Sequence, residues 1–190
     1  GENCQVRALD VRSCGTDGMT CCIAAGERRI PVRIAAWGAH LVYAALAAAA
    51  VGLYLGLGDE EIAAGIAAYA PVGSRGGVLR TARWTVLDDC YNSNPSSARA
   101  AVSSLATLPG RRVCILGDML ELGEQSAALH RQLGEFAARQ GIDVILACGA
   151  CAEQIYAGAL PVSRGQVWYF PDKQALFDVL PQLLQDGDQI

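Results

Sequence analysis

The chain has 190 residues, 52% of them hydrophobic and 18% charged, with a formal net charge of -4. That balance excludes a disordered or low-complexity chain. It also excludes nucleic acid as a general partner, because phosphate-backbone affinity rests on clustered Lys and Arg. A chain of this length can hide roughly 70% of its unfolded surface as one domain, or divide into two small ones.

The first part reads as short strands separated by turn signals: Gln5 to Val11, Thr20 to Ala24 and Ile30 to Ile34, with "GTDG" and "GER" between them. Ile30, Val32 and Ile34 alternate with other residues, the period of a half-buried strand, and the three segments predict an antiparallel meander. From Ile34 to Gly58 there is no charged residue, a length that could cross a bilayer core of ~30 Å. The run is dominated by Ala, interrupted by glycines and contains His40, so its insertion would be weak. An Ala-rich helix from about 41 to 55, buried between protein layers, is expected instead, with no membrane partner. A second helix opens at Asp59-Glu60-Glu61, acids suited to the positive end of a helix dipole. Pro71 stops it, and "VGSRGG" at 72–77 reads as a Gly-rich joint, dividing the chain into 1–74 and 75–190.

After the joint, apolar runs at 85–87, 113–116, 144–147 and 167–170 alternate with helical segments near 96–108, 126–140, 151–159 and 173–185. This spacing predicts an α/β fold with a Rossmann-like, mostly parallel sheet covered by helices on both faces. The final Gly187-Asp188-Gln189-Ile190 reads as the start of another strand, and a stop there indicates a fragment. His130 falls well inside a predicted helix and reads as a helix-surface residue. With only two histidines, neither a metal cluster nor a Ser-His-Asp triad can be assembled. The eight cysteines lie mostly in apolar runs and read as reduced, packed thiols, including the Cys148-x-x-Cys151 pair.

In open α/β sheets ligands gather beyond the carboxyl ends of the strands. The stretch "DDCYNSNPSS", 88–97, is such a loop. One of Asp88 and Asp89 can project into the crevice while the other caps or pairs; Asn94-Pro95 sets a turn, and Ser96 or Ser97 can cap the next helix. Gly117-Asp118, Cys148-Gly149 and Pro171-Asp172 follow the other strands at the same edge. No G-x-x-x-x-G-K-[ST] phosphate loop occurs in the chain.

At these residues the sequence resembles the Mur ligase family of peptidoglycan synthesis, in particular its D-alanyl-D-alanine-adding branch. "DDCYNSNPSSARAA" is similar to that branch's Asp-Asp-x-Tyr-Asn-x-Asn-Pro stretch, and "LGDMLELGEQSAALH" to its Leu-Gly-Asp-Met-x-Glu-Leu-Gly stretch. "GAHLVYAALAAAAVGLYLGL" and "PVGSR" resemble the back of the central ATPase domain and the hinge that opens the C-terminal domain. The resemblance implies a cytoplasmic, monomeric ligase that uses ATP and Mg2+ to join D-Ala-D-Ala to UDP-MurNAc-tripeptide through an acyl phosphate. The UDP-binding domain and the phosphate loop would lie upstream of Gly1, and this chain alone would be inactive. Arg75 matches the hinge Arg that reaches ATP phosphates, and Asp89 the Asp that contacts the ribose. Tyr91, Asn92 and Asn94 would line the crevice; Asp88, Asp118 and His40 join the binding candidates. Where the family has His-Asn-x-x-Asn, this chain has His40-Leu41-Val42-Tyr43-Ala44, which removes both adenine-reading amides. That departure leaves a second reading: a silent Rossmann-like binding or regulatory module that keeps the fold without the chemistry.

Overall fold

The structure, a computed structural model, describes residues 4–190. They form two compact units, one up to Val72 and one from Gly73 to Ile190.

In the first unit, strands β1 (Val6–Ser13), β2 (Met19–Ala25) and β3 (Arg28–Ile34) make an antiparallel sheet in chain order. The register sets Met19 opposite Ile34, Cys21 opposite Val32 and Ile23 opposite Ile30. All six are buried, so strict alternation presents one apolar face. Helices α1 (Leu41–Tyr54) and α2 (Asp59–Ala67) cover that face with Val42, Ala45, Ala49, Ile62 and Ile66. Glu61 Oε2 accepts from the Gly58 N–H at 2.8 Å, and the Arg28 Nε donates to Asp59 Oδ1 at 2.7 Å, tying the start of α2 to β3. The Ala-rich helix is covered on one side only: Tyr43, Val51, Tyr54 and Leu55 on its other side are exposed. No helix among the described residues is long and apolar enough to cross a membrane.

The second unit is the predicted mostly parallel sheet. Strands β6 (Val113–Gly117), β7 (Val144–Cys148) and β8 (Gln166–Phe170) pair in parallel. A hairpin of β4 (Gly77–Arg80) and β5 (Thr85–Asp88) stands beside them. The last residues join the two parts. The Ile190 N–H donates to the Thr85 carbonyl at 2.9 Å, and the Gln189 carbonyl accepts from the Val113 N–H at 2.8 Å. Residues 188–190 therefore run between β5 and β6, parallel to both.

Helices α3 (Pro95–Ala106), α4 (Ser126–Arg139) and α5 (Ala152–Ala159) pack on one face through Val102, Leu105, Ala137, Ile155 and Ile145. Helix α6 (Lys173–Leu183) packs on the other, where Val113, Val144 and Leu146 meet Leu176. Helices α4 and α5 touch backbone to backbone. A Cβ on Gly134 would collide with the Ile155 carbonyl, and one on Gly158 with the Arg131 carbonyl. The Arg111 Nη1 donates to the buried Asp188 Oδ2 at 2.6 Å, and its Nη2 to the Leu183 carbonyl at 3.0 Å, locking residues 188–190 to the end of α6.

Candidate functional site

Because β5, β6, β7 and β8 all run the same way, their carboxyl ends share one edge, and the loops leaving it carry most of the expected site residues. The first loop is built tightly. Asn94 is the N-cap of α3: its Oδ1 accepts from the Ser96 and Ser97 N–H groups, both at 3.0 Å. The Ser97 Oγ in turn accepts from the Asn94 N–H at 3.1 Å, and Pro95 takes the first helical position, where its missing N–H costs nothing. Asn94 is thus the cap, with Ser97 its partner in the box.

Asp88 is turned to the backbone. Its Oδ1 accepts from the Cys90 N–H at 3.4 Å. Hydrogen bonds from the Cys90 and Ser74 side chains outweigh a small desolvation cost and hold its carboxyl below the ordinary range. Asp89, the next residue, is half-buried at the crest.

The joint is fastened to this corner. The Tyr91 N–H donates to the Ser74 carbonyl at 3.0 Å. The guanidinium carbon of Arg75 lies 3.8 Å from the centroid of the Tyr91 ring. Ser74, Arg75, Asp88 and Tyr91 are therefore linked inside the second unit, with Asp89 between them in the chain and Asn92 exposed. Ser74 is a further contributor, for which the sequence carries no signal beyond its place in the hinge stretch beside Arg75.

The second loop is held by different means. Asp118 Oδ1 accepts from the Cys151 N–H at 2.9 Å, and its carboxylate fills the space where Gly149, at φ +130°, has no Cβ. Asp118 thereby ties the end of β6 to the start of α5. Cys148, beneath it, is pushed up by burial and by the charges of Asp172 and Asp118. All eight cysteines are free thiols.

His130 is not on the helix surface. It is 0% exposed, and its Nε2 accepts from the Met119 N–H at 2.9 Å. Since Nε2 must be bare to accept, the proton sits on Nδ1, which donates to the Ser126 carbonyl at 2.7 Å. The sequence did contain the signal: His130 precedes Leu133, Gly134, Ala137 and Ala138 at the spacing of the buried stripe of α4. His40 belongs to the first unit, exposed at the start of α1 with its ring folded over Gly38. Among the described residues, no three His, Cys, Asp or Glu side chains converge as a metal site.

Residues 74–190 match the family described as Mur ligase, glutamate ligase domain. The chain belongs to the Mur ligase family. Across 80% of its length it is 39% identical to the UDP-N-acetylmuramoyl-tripeptide--D-alanyl-D-alanine ligase of Escherichia coli, and 31% identical to that of Bacillus subtilis. It spans about a third of the length of these Mur ligases, 33% and 34%. The fold agrees: a crystal structure of MurF from Acinetobacter baumannii superposes over the whole chain with a TM-score of 0.88 at 28% identity, covering 42% of that protein. MurF of Thermotoga maritima, solved in complex with ADP, shares the fold over 97% of the chain and 42% of its own, at a TM-score of 0.77 and 20% identity. As a Mur ligase domain, the second unit places its exposed Arg and its acidic pair at the strand edge where open α/β sheets take ligands.

Proposed function

We propose that this chain is part of an ATP-dependent ligase that joins D-Ala-D-Ala to UDP-MurNAc-tripeptide in the cytoplasm, during peptidoglycan synthesis. The tripeptide's terminal carboxylate takes the γ-phosphoryl group of ATP, giving an acyl phosphate and ADP. The dipeptide amine attacks the acyl carbon, and the tetrahedral intermediate expels inorganic phosphate as the amine loses its proton. The names of the relatives carry the substrate assignment. The observation on this chain that supports it most is the fastened cluster of Arg75, Ser74, Asp88 and Tyr91 at the strand edge, with Asp89 next in the chain.

The residues suit a nucleotide. An exposed guanidinium offers planar donors to phosphate oxygens, and the carboxylate of Asp89 can accept from ribose hydroxyls. Asp88 supports them from behind by holding Ser74 and Cys90. Magnesium would neutralise the transferring charge; among the described residues no three His, Cys, Asp or Glu side chains gather to hold it. The chain carries no phosphate loop, and by itself it turns over no ATP.

The test uses the full-length parent. Arg75→Ala and Asp89→Ala should each lower product formation by about a hundredfold or more, the scale for removing a group that stabilises developing charge, while circular dichroism stays unchanged. Wild-type rates in both variants would refute the assignment.

A further inference from the structure

Arg75 carries the one exposed cation of the cluster, yet it follows Gly73 at φ +60° and precedes Gly76 at φ +74°. A side chain on such a stretch has little backbone help in keeping its direction. Three tethers supply that help, and all of them come from the end of β5 and the loop after it. The Tyr91 N–H holds the Ser74 carbonyl at 3.0 Å. The carboxylate of Asp88 holds the Ser74 hydroxyl. The Tyr91 ring lies against the guanidinium of Arg75 at 3.8 Å.

The ring is 66% exposed, so burial of the tyrosine is not what keeps it there. Its contribution is a flat π surface that fixes the plane of the guanidinium, and that plane decides which N–H groups point at a ligand. We propose that Tyr91 is a positioning residue: it acts through Arg75, orienting the guanidinium for phosphate, and does not itself touch the reacting atoms. The backbone bond from Tyr91 to Ser74 also fastens the residue before Arg75 to the second unit. This rests on the ligase reading given above, and it assigns Tyr91 a different task from lining the crevice.

The chemistry fixes what substitutions do. Phe keeps the π face and loses only the hydroxyl; Leu loses the face. Lys at 75 keeps the charge and loses the planar fork. In the full-length ligase, kcat/KM for ATP is measured for wild type, Tyr91→Phe, Tyr91→Leu, Arg75→Lys and the Arg75→Lys/Tyr91→Leu double variant. Tyr91→Phe should stay within about twofold of wild type, and Tyr91→Leu should fall at least about threefold. In the Arg75→Lys background, Tyr91→Leu should cost almost nothing further, since the partner it orients is gone. Wild-type activity in Tyr91→Leu, or an undiminished loss in the Arg75→Lys background, would overturn the proposal.

NMR of the chain itself separates this failure from failure of the ligase reading. The Arg75 Nε–H resonance should carry a ring-current shift that Tyr91→Phe keeps and Tyr91→Leu removes. A shift unaffected by Tyr91→Leu refutes the stacking whatever the enzyme does. A full-length parent that makes no product refutes the ligase reading, and with it the role given to Tyr91, even where the shift is present.

Discussion

The imidazole of His130 reaches from α4 to the loop after β6 and accepts the Met119 N–H at 2.9 Å. That loop follows Asp118, whose carboxylate holds the Cys151 N–H at the start of α5. One buried side chain thus anchors the connection through which β6, α4 and α5 meet at the carboxyl edge of the sheet.

His130→Ala leaves the Met119 N–H without its partner beside a Met119 side chain that is itself buried. An unsatisfied buried donor costs about 1–3 kcal/mol, and the lost ring adds a cavity. Urea unfolding should show at least that loss. Long-range 1H–15N spectra of the wild type should show the proton on Nδ1; a proton on Nε2 would contradict the assigned bond.

Gly134 and Gly158 let α4 and α5 approach until each meets the other helix's carbonyl. Ala at either position must separate the two backbones, which rotamer changes cannot relieve, so Gly134→Ala and Gly158→Ala should each destabilise by about 1–3 kcal/mol. Gly65, in α2 with open space around it, is the control. Gly65→Ala should be neutral or stabilise by up to about 1 kcal/mol.

Thiol reactivity should divide the cysteines by burial. Desolvation pushes the Cys114 thiol up to about 12, and Cys21 and Cys148 are also raised, while Cys14 and Cys90 are exposed. Brief iodoacetamide treatment at neutral pH, read by mass spectrometry, should label Cys14 and Cys90 and spare Cys114. Full labelling of Cys114 in the native protein would contradict the packing.

Acid should loosen the second unit through two carboxylates. Burial pushes Asp143 up, but the N–H and guanidinium of Arg112 and the charge of Arg111 outweigh it, so its carboxyl is held below the ordinary range. Asp88 is held low by Cys90 and Ser74. A carboxyl whose folded value is depressed adds stability above its unfolded value of about 3.9 and loses it as pH falls through the folded value. Unfolding midpoints for Asp143→Asn and wild type should differ at pH 7 and converge toward pH 2–3. A constant difference would refute the linkage.

Much of this was legible in the sequence because it is local. Alternation in Ile30, Val32 and Ile34 gave β3, and the Asn-Pro-Ser-Ser run announced the start of α3, although the choice of Asn94 as the cap depended on backbone geometry. Strand β4 escaped notice because Val78 and Leu79 are its only large apolar residues and it follows a Gly-rich joint. The strand-like end of the chain was readable, but its slot between β5 and β6 was not, since those partners lie far away in sequence. At the site, the resemblance drew attention to Arg75 and Asp89. Ser74 and the stacking of Tyr91 came only with the fold, because no periodicity records which loop a joint is fastened to.

The full-length parent, incubated with UDP-MurNAc-tripeptide, D-Ala-D-Ala and ATP and followed by mass spectrometry of its nucleotide products, should form UDP-MurNAc-pentapeptide in step with ADP and phosphate, and almost none with Arg75→Ala. No pentapeptide from a folded wild-type protein would contradict the ligase reading, as would full yield from the Arg75→Ala variant.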